Sequence, residues 1–309
     1  MRCIEFESMA YQGNGTVLTG LRKALRAKTR FQEVTSPLTA FGTSLMFHAV
    51  HSKATLAVPR VLLLSIYRYK NAQTLLPLVA EGKGSGWNVR LWALDKIHPA
   101  LGSFSRGAGK GFKFDLLNSL IGPSDNSTFD WFMITDDDVA MEEGSLSLFL
   151  TVATLAQLSL AQPAHSEGSH RSHDICLCKP MAVARLTTFV EIGPIFAVNS
   201  TWAKRILPFP EGYGMGWGLD LEWSDLRKDG ARLGIVDLVK MRHLAPVGHQ
   251  YEATEEFARR HRILAERGVQ TVHELQQTLE VWRPWQKRPP WTAWSPQSRE
   301  GLANRTPHK

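Results

Sequence analysis

The chain has 309 residues, 43% of them hydrophobic, and a formal net charge of +7. This size and composition allow a full core and predict one large domain with appendages. The positive charge favours anionic partners, such as nucleotide phosphates, anionic lipid or nucleic acid, without choosing among them. No uncharged apolar run reaches about 18 residues, so no transmembrane helix is expected.

The sequence predicts a cytoplasmic protein. Cys176 and Cys178 flank a single residue, a spacing poorly suited to an ordinary disulfide, and this favours a reducing compartment. Glu5 and Glu7 interrupt the apolar positions near the start, so no secretory pattern is found there. The basic and tryptophan-rich composition leaves a peripheral membrane contact open.

Strands and helices alternate in the first half of the chain. Residues 1–57 have no sustained period and are treated as an N-terminal extension of uncertain structure. The predicted elements that follow are a strand over 61–66, a helix capped by Asn71 and ending near Gly82, a strand over 89–94, a helix over 113–120 and a strand over 131–134. This alternation predicts a three-layer α/β domain over 58–255.

The second half is predicted to hold a helix over 146–160, strand segments at 189–190 and 195–198, a helix over 219–228 and a strand over 233–236. Residues 256–309 are predicted to be a C-terminal extension, helical at first and then rich in tryptophan and proline. Three interpretations of its tryptophans stay open: membrane anchors, platforms for an acceptor, or a packed tail. These residues are Trp282, Trp285, Trp291 and Trp294.

The most informative motif is Thr135-Asp136-Asp137-Asp138, where three carboxylates directly follow a predicted buried strand. In an open α/β sheet, ligands collect outside the carboxyl ends of the strands. Adjacent carboxylates repel one another unless a cation or hydrogen bonds compensate, and oxygen-rich sites suit Mg²⁺ or Mn²⁺ bridged to phosphates. The alternative interpretation is a solvated turn that caps the next helix.

A strand that ends in an Asp-x-Asp element resembles the signature of glycosyltransferases with the GT-A fold, with Asp136 and Asp138 at the outer positions. Residues 189–202, 214–223 and 233–243, together with 162–164 and 169–170, are similar to an uncharacterised plant and bacterial family of glycosyltransferase-like proteins. This resemblance covers about residues 60–250. It implies a Rossmann-like, three-layer GT-A domain with a mixed central sheet, in which a divalent metal holds a nucleotide sugar.

The segment Gly216-Trp-Gly-Leu-Asp220 resembles the part of inverting galactosyltransferases that carries the catalytic base. By this resemblance Asp220 takes the proton of the acceptor hydroxyl, which is a poor nucleophile until a positioned base removes that proton. On a helix Glu222 points elsewhere, so Asp220 is preferred as the base. The alternative is that Asp220 only stabilises a helix N-terminus.

Arg242-His243 follows a short predicted strand and resembles the segment in which such enzymes supply a histidine as a further metal ligand. A neutral imidazole at His243 could complete a coordination shell begun by Asp138. The alternative is a structural histidine, which is the commoner role of a lone histidine.

Further contacts with the donor are expected from the first half of the chain. Ser65, Tyr67 and Asp95 lie at the ends of the first two predicted strands, where base and ribose bind in similar folds. Lys110 and Lys113 belong to a basic, glycine-rich loop that could approach phosphate, although they could equally be solvated lysines. Asp136 is expected to serve the donor as well as the metal.

The acceptor side is expected to involve four residues, which are Gln162, His170, Trp217 and Glu222. A zinc site in the same region is disfavoured, because the His-x₂-His-x₂-Cys-x-Cys spacing over 170–178 does not reproduce a usual structural site. This segment is instead expected to form a loop over the acceptor.

Together these features predict a metal-dependent, hexosyltransferase-like glycosyltransferase. Mn²⁺ or Mg²⁺ would be held by Asp136, Asp138 and His243, and Asp220 would act with inversion. The partners would be a nucleotide-sugar donor and a carbohydrate or glycoconjugate acceptor, with no specific nucleic acid. Two alternatives stay open: a metal-dependent phosphohydrolase or nuclease, for which a second acidic metal motif is missing, and a non-catalytic carbohydrate- or nucleotide-binding protein of the same fold.

Overall fold

The structure of the chain is a computed structural model that describes residues 58–246 and 254–293. The strands in this part of the chain are β1 (Val61–Tyr67), β2 (Asn88–Ala93), β3 (Ser105–Ala108), β4 (Trp131–Thr135), β5 (Val139–Glu143), β6 (Leu160–His165), β7 (Ala184–Thr187), β8 (Ile195–Asn199), β9 (Leu233–His243) and β10 (Thr278–Trp282). The α-helices are α1 (Ala72–Gly84), α2 (Lys113–Ser119), α3 (Asp125–Thr128), α4 (Leu146–Leu155), α5 (Ser200–Ile206), α6 (Leu219–Asp225) and α7 (Thr254–Glu266). The predicted N-terminal extension and the end of the tail, including Trp294, lie outside the described residues.

The strands form one mixed sheet in the order β10-β7-β9-β6-β8-β4-β1-β2-β3, with β5 pairing β9 outside this path. Strand β1 lies parallel to β2 and β4, whereas β8 runs antiparallel to both β4 and β6. All seven residues of β1 are buried, as expected for an apolar run covered on both faces. The predicted α/β class with a mixed central sheet is therefore confirmed.

Side chains from the two faces of β1 pack against different helices. Leu62 and Leu64 belong to the same buried cluster as Phe114 of α2 and Trp223 of α6. Leu63 points the other way, since its Cδ2 lies 3.1 Å from the position that a Cβ on Gly82 of α1 would occupy. Helices thus cover both faces of the sheet, which gives the predicted three layers.

Two predicted elements are wrong in extent. The helix predicted over 146–160 ends at Leu155, and Leu160 begins β6, which lies between β8 and β9. An apolar run of this kind fits a buried strand as well as a helix, so periodicity alone could not divide it. The strand predicted over 233–236 continues to His243, because first β6 and β7 and then β5 supply it with partners.

Three smaller predictions also need correction. The strand predicted at 189–190 is absent and β7 lies just before it. The helix predicted over 219–228 ends at Asp225 and continues as a 3₁₀ turn over Leu226–Asp229. Asn71 stands at the start of α1, but its side chain makes no capping hydrogen bond there.

The described part of the C-terminal segment is packed. Strand β10 pairs antiparallel with β7 and extends the sheet. Trp282 and Trp291 are buried, and Trp291 Nε1 donates a hydrogen bond of 2.7 Å to the carbonyl of Ala156. Within residues 58–246 and 254–293, no helix has the length and apolar character needed to cross a membrane.

Candidate active site

The acidic turn lies at the carboxyl edge of the sheet. Thr135 is the last residue of β4 and pairs with Ser65 of the parallel strand β1, so the two strands end at the same edge. The turn that follows is fixed from both sides, because Asp136 N donates to the carbonyl of Pro194 and Leu244 N donates to the carbonyl of Asp138. Its carboxylates are therefore held in the crevice where ligands collect in such sheets.

Asp136, Asp138 and His243 form a group that could hold a metal ion, with one ligand atom of each lying within 4.8 Å of the others. Pairing of β5 with β9 creates this group, since Val139 lies opposite His243 and so brings Asp138 beside the imidazole. His243 Nε2 lies 3.2 Å from Asp138 Oδ1. Two carboxylates and an imidazole are a donor set that suits Mn²⁺ or Mg²⁺.

Electrostatics in this group favour charge on both members of the Asp138 and His243 pair. Burial alone would raise the pKa of Asp138, but the hydrogen bond and charge of His243 and the charge of Lys113 lower it below the ordinary value. Burial alone would lower the pKa of His243, but the hydrogen bond and charge of Asp138 raise it. Lys113 Nζ also lies 2.6 Å from Asp136 Oδ1, so the carboxylates are neutralised by neighbouring cations.

Asp137 faces away from the metal group and fixes the turn. Its Oδ2 accepts a hydrogen bond of 2.6 Å from the backbone N–H of Arg68, and the side chain of Asn71 also bonds to it. Burial raises the pKa of Asp137 to about 6, despite these hydrogen bonds. Asn71, predicted to cap α1, thus anchors the acidic turn instead.

A cavity of about 700 Å³ opens beside the metal group. The three aspartates of the turn line this cavity together with residues from distant parts of the chain. The charged and polar residues among those lining it are Arg68, Asp95, Lys110, Lys113, Asp136, Asp137, Asp138, Ser172, His173, Glu191, Asp220, His243 and Arg260. This volume is in the range of small-molecule and cofactor sites.

Asp220 lies in the first turn of α6 and lines this cavity, with only 7% of its surface exposed. Burial, followed by the negative charge of Glu191, raises its pKa to about 7. Leu221 N donates to its Oδ1 at 2.9 Å, and His173 Nε2 lies 3.9 Å from its Oδ2. A carboxyl group with a pKa near neutrality is suited to general acid or base chemistry.

Two glycines, Gly216 and Gly218, allow the chain that leads into α6 to pack closely enough to bring the Asp220 carboxyl to the cavity. Gly216 has φ of +91°, and a Cβ there would lie 2.0 Å from the ring of Phe114. Gly218 has φ of +104°, and a Cβ there would lie 2.7 Å from Ile263 Cδ1. The chain entering α6 is therefore pressed against α2 and α7, which sets the position of Asp220.

Glu191 is a second buried carboxylate in the cavity, and the sequence analysis missed it. Burial would raise its pKa, but the neighbouring imidazoles of His165 and His173 lower it below the ordinary value. His165 Nε2 lies 3.4 Å from its Oε2, and Glu191 N donates 2.6 Å to Gln162 Oε1. Its one local signal is that a carboxylate stands inside the apolar segment 189–198, because the residues that it contacts come from β6 and from the loop before β7.

The structure places the expected donor residues in two groups. Asp95, Lys110 and Lys113 line the cavity. Ser65 and Tyr67 are fully buried and do not line it, and the Tyr67 hydroxyl forms a hydrogen bond of 2.9 Å with Ser105 Oγ. Arg68, directly after β1, reaches the cavity instead.

Of the four residues expected on the acceptor side, only Trp217 lines the cavity. Its ring contacts Phe257. Gln162 is fully buried beneath Glu191, and the side chain of Glu222 accepts a hydrogen bond from the Tyr213 hydroxyl. His170 is exposed, and its backbone N–H donates to the carbonyl of His243 at 3.2 Å.

No protein-family model matches the chain, and no curated protein matches it in sequence. Among solved structures, GalNAc-T7 with UDP, GalNAc and Mn²⁺ is similar, with a TM-score of 0.50 and 8% identity, over 67% of this chain and 48% of that chain. The chain thus spans about half the length of GalNAc-T7. Residues 1–349 of S. aureus TarS in complex with UDP give a TM-score of 0.45 and 10% identity, over 70% of this chain and 68% of that chain.

The likeness to GalNAc-T7 identifies the fold, which is the GT-A fold of glycosyltransferases. The mixed sheet and the acidic turn at the carboxyl end of β4 agree with this class. At 8% identity the comparison establishes architecture only.

Proposed function

We propose that the chain is a metal-dependent glycosyltransferase that moves a hexose-like sugar from a nucleotide-sugar donor to a hydroxyl of a carbohydrate or glycoconjugate acceptor, with inversion at the anomeric carbon. One observation carries this function: a group of metal ligands and a buried carboxyl with a pKa of about 7 line the same cavity. A metal-dependent transfer with inversion uses both, since the leaving group must be stabilised and the attacking hydroxyl deprotonated.

On the donor side, Asp136, Asp138 and His243 would hold Mn²⁺ or Mg²⁺. When bound, the metal would neutralise charge on the leaving nucleoside diphosphate. Lys113, which is paired with Asp136 and lines the cavity, would contact a phosphate oxygen close to these ligands. Lys110 and Asp95, which also line the cavity, would contact phosphate and ribose respectively.

On the acceptor side, Asp220 would accept the proton of the attacking hydroxyl. Its burial supports this role, because a desolvated carboxylate is a stronger base than an exposed one. Trp217 offers an apolar wall in the same cavity, of the kind on which sugar rings pack. One base that acts on the acceptor hydroxyl would give direct displacement, and hence inversion.

The test is release of free nucleoside diphosphate from UDP-, GDP- and dTDP-sugars, measured with Mn²⁺ and again after chelation. We expect release from at least one donor with Mn²⁺, none in chelator, and much slower release with Asp138→Asn when Mn²⁺ is limiting. The matched control is Asp115→Asn, which removes an exposed carboxylate of α2 that does not line the cavity. The anomeric configuration of the product, read by proton NMR, tests inversion.

Two outcomes would replace this function with another. Cleavage of phosphodiesters without release from any nucleotide sugar would indicate a metal-dependent phosphohydrolase. Binding of a nucleotide sugar without turnover, in the presence of a broad mixture of glycoside acceptors, would indicate a non-catalytic binding protein.

A further inference from the structure

Two loops lie side by side at the β10 edge of the sheet. Residues 179–182 lead into β7 and residues 283–288 follow β10, and we call these two segments together the edge surface. Arg283 Nη1 donates hydrogen bonds to the carbonyls of Met181 and Pro180, at 2.9 and 3.3 Å. Val183 N donates 2.8 Å to the carbonyl of Trp282. These bonds hold the loops together as one surface.

Two large apolar side chains are held in solvent on the edge surface. Trp285 is 68% exposed and Met181 is 62% exposed. The guanidinium of Arg283 lies 6.0 Å from the centre of the Trp285 ring, within the distance of a cation–π contact. Trp282 and Trp291, which flank this segment, are buried, so the exposure of Trp285 is specific to its position.

Every charged side chain of the edge surface is basic. The four are Lys179, Arg283, Lys287 and Arg288, and neither segment contains an aspartate or glutamate. Lys179, Lys287 and Arg288 are exposed. An exposed indole and thioether beside several basic side chains form the combination that favours the interface of an anionic bilayer.

We propose that the edge surface binds membranes that contain anionic phospholipids. Trp285 and Met181 enter the headgroup region, where an indole buries its ring and keeps its N–H hydrated. The four basic side chains contact lipid phosphates, each strengthening partitioning about fivefold near an anionic surface. This contact is independent of the cavity and of any catalytic activity.

The experiment is co-sedimentation of the full chain with vesicles of phosphatidylcholine alone and of phosphatidylcholine with phosphatidylserine. We expect binding to the anionic vesicles only, and loss of that binding at high salt. Lys287→Gln with Arg288→Gln should weaken partitioning about 25-fold, the product of two fivefold factors. Trp285→Ser and Met181→Ser, each alone, should weaken it at unchanged net charge.

The matched control is Lys83→Gln with Lys204→Gln, which removes the same charge from exposed positions on α1 and α5. Partitioning of this control to anionic vesicles should be close to that of the parent chain, and any loss should stay below about fivefold. Equal weakening in the control and in the Lys287 and Arg288 variant would overturn the proposal, as would equal binding to both kinds of vesicle. Preferential retention by single-stranded RNA in competition with anionic vesicles would assign the surface to nucleic acid instead.

Discussion

Three adjacent aspartates have three different environments at the residue scale. Asp136 is paired with Lys113, Asp137 is buried under the N-terminus of α1, and Asp138 is bonded to His243. Adjacent residues on a turn point in different directions, so only the outer two belong to the group that could hold a metal ion. The same substitution should therefore have different effects at each position.

Replacement of Asp138 tests metal binding directly. Asp138→Asn removes a charged ligand atom and the partner of His243, so we expect Mn²⁺ affinity to fall by about 10-fold or more. Calorimetric titration with Mn²⁺ in the absence of any donor measures this. Asp115→Asn should leave the titration unchanged, and equal Mn²⁺ affinity in the Asp138 variant and the parent chain would remove Asp138 from the metal site.

Replacement of Asp220 tests the base. Asp220→Asn should retain binding of donor and reduce transfer by about 10²- to 10⁴-fold, the range of general base contributions. In the parent chain the base must be ionised, so kcat/KM should rise with pH and level off above a pH of about 7. A variant that loses donor binding and transfer equally would contradict separate donor and acceptor roles.

Glu191 should control the pH at which Asp220 works. Its negative charge raises the pKa of Asp220, after the larger effect of burial, so Glu191→Gln should move the rising limb of the pH profile to lower pH. The pH dependence of kcat/KM measures this shift. Glu211→Gln, at an exposed loop position before α6, should leave the limb in place; an unmoved limb in both variants would exclude coupling between Glu191 and Asp220.

At the element scale, the turn into α6 depends on glycine. Gly216→Ala would force a Cβ into the Phe114 ring and place alanine in the left-handed region, so we expect a loss of about 3 kcal/mol in the free energy of unfolding. Gly212→Ala is the matched control, because Gly212 has φ of +79° but open space around its Cβ position. It should lose only about 1 kcal/mol. Urea denaturation measures both, and equal losses would mean that packing against α2 is unimportant.

The strands that lead to the edge of the sheet carrying the acidic turn could be predicted from local pattern. Strands β1 and β4 are short apolar runs ended by polar residues, and both are found within one residue of their predicted bounds. Strand β10 was missed because Thr278–Trp282 is partly exposed rather than a continuous apolar run, and because it is stabilised by pairing with β7. Local sequence carries little information about such non-local pairing.

The same limit applies to the site. Asp138 and His243 are 105 residues apart, and only the pairing of β5 with β9 brings them together. The resemblance to glycosyltransferases suggested His243 as a metal ligand, whereas hydrophobic periodicity carries no information about such a contact. Glu191 was missed as a cavity residue because its neighbours are distant in the chain, although a carboxylate inside the apolar segment 189–198 was a usable signal. His173, which also lines the cavity, lies in the segment expected to form a loop over the acceptor, but it was not named as a site residue.

At the scale of the whole molecule, ionisation of the candidate base Asp220 should lower the free energy of unfolding. The pKa of Asp220 is about 7 in the folded chain against an ordinary value of 3.8, because burial and Glu191 disfavour its charge. The folded state therefore binds this proton more tightly than the unfolded state, and stability falls as pH rises from about 4 to about 7. The full difference is on the order of 4 kcal/mol for a group this buried.

Asp220→Asn carries no charge at any pH, so its stability relative to the parent chain should grow across the same window. We expect the two chains to unfold at similar urea concentrations near pH 4, and the variant to require more urea at pH 8, with chelator present throughout. Tryptophan fluorescence follows the transition. Asp115→Asn should track the parent chain at both pH values. If the difference in urea midpoint between variant and parent chain were the same at pH 4 and pH 8, the variant would alter packing rather than remove a buried charge. Asp220 would then lack the perturbed environment on which its role as a base depends.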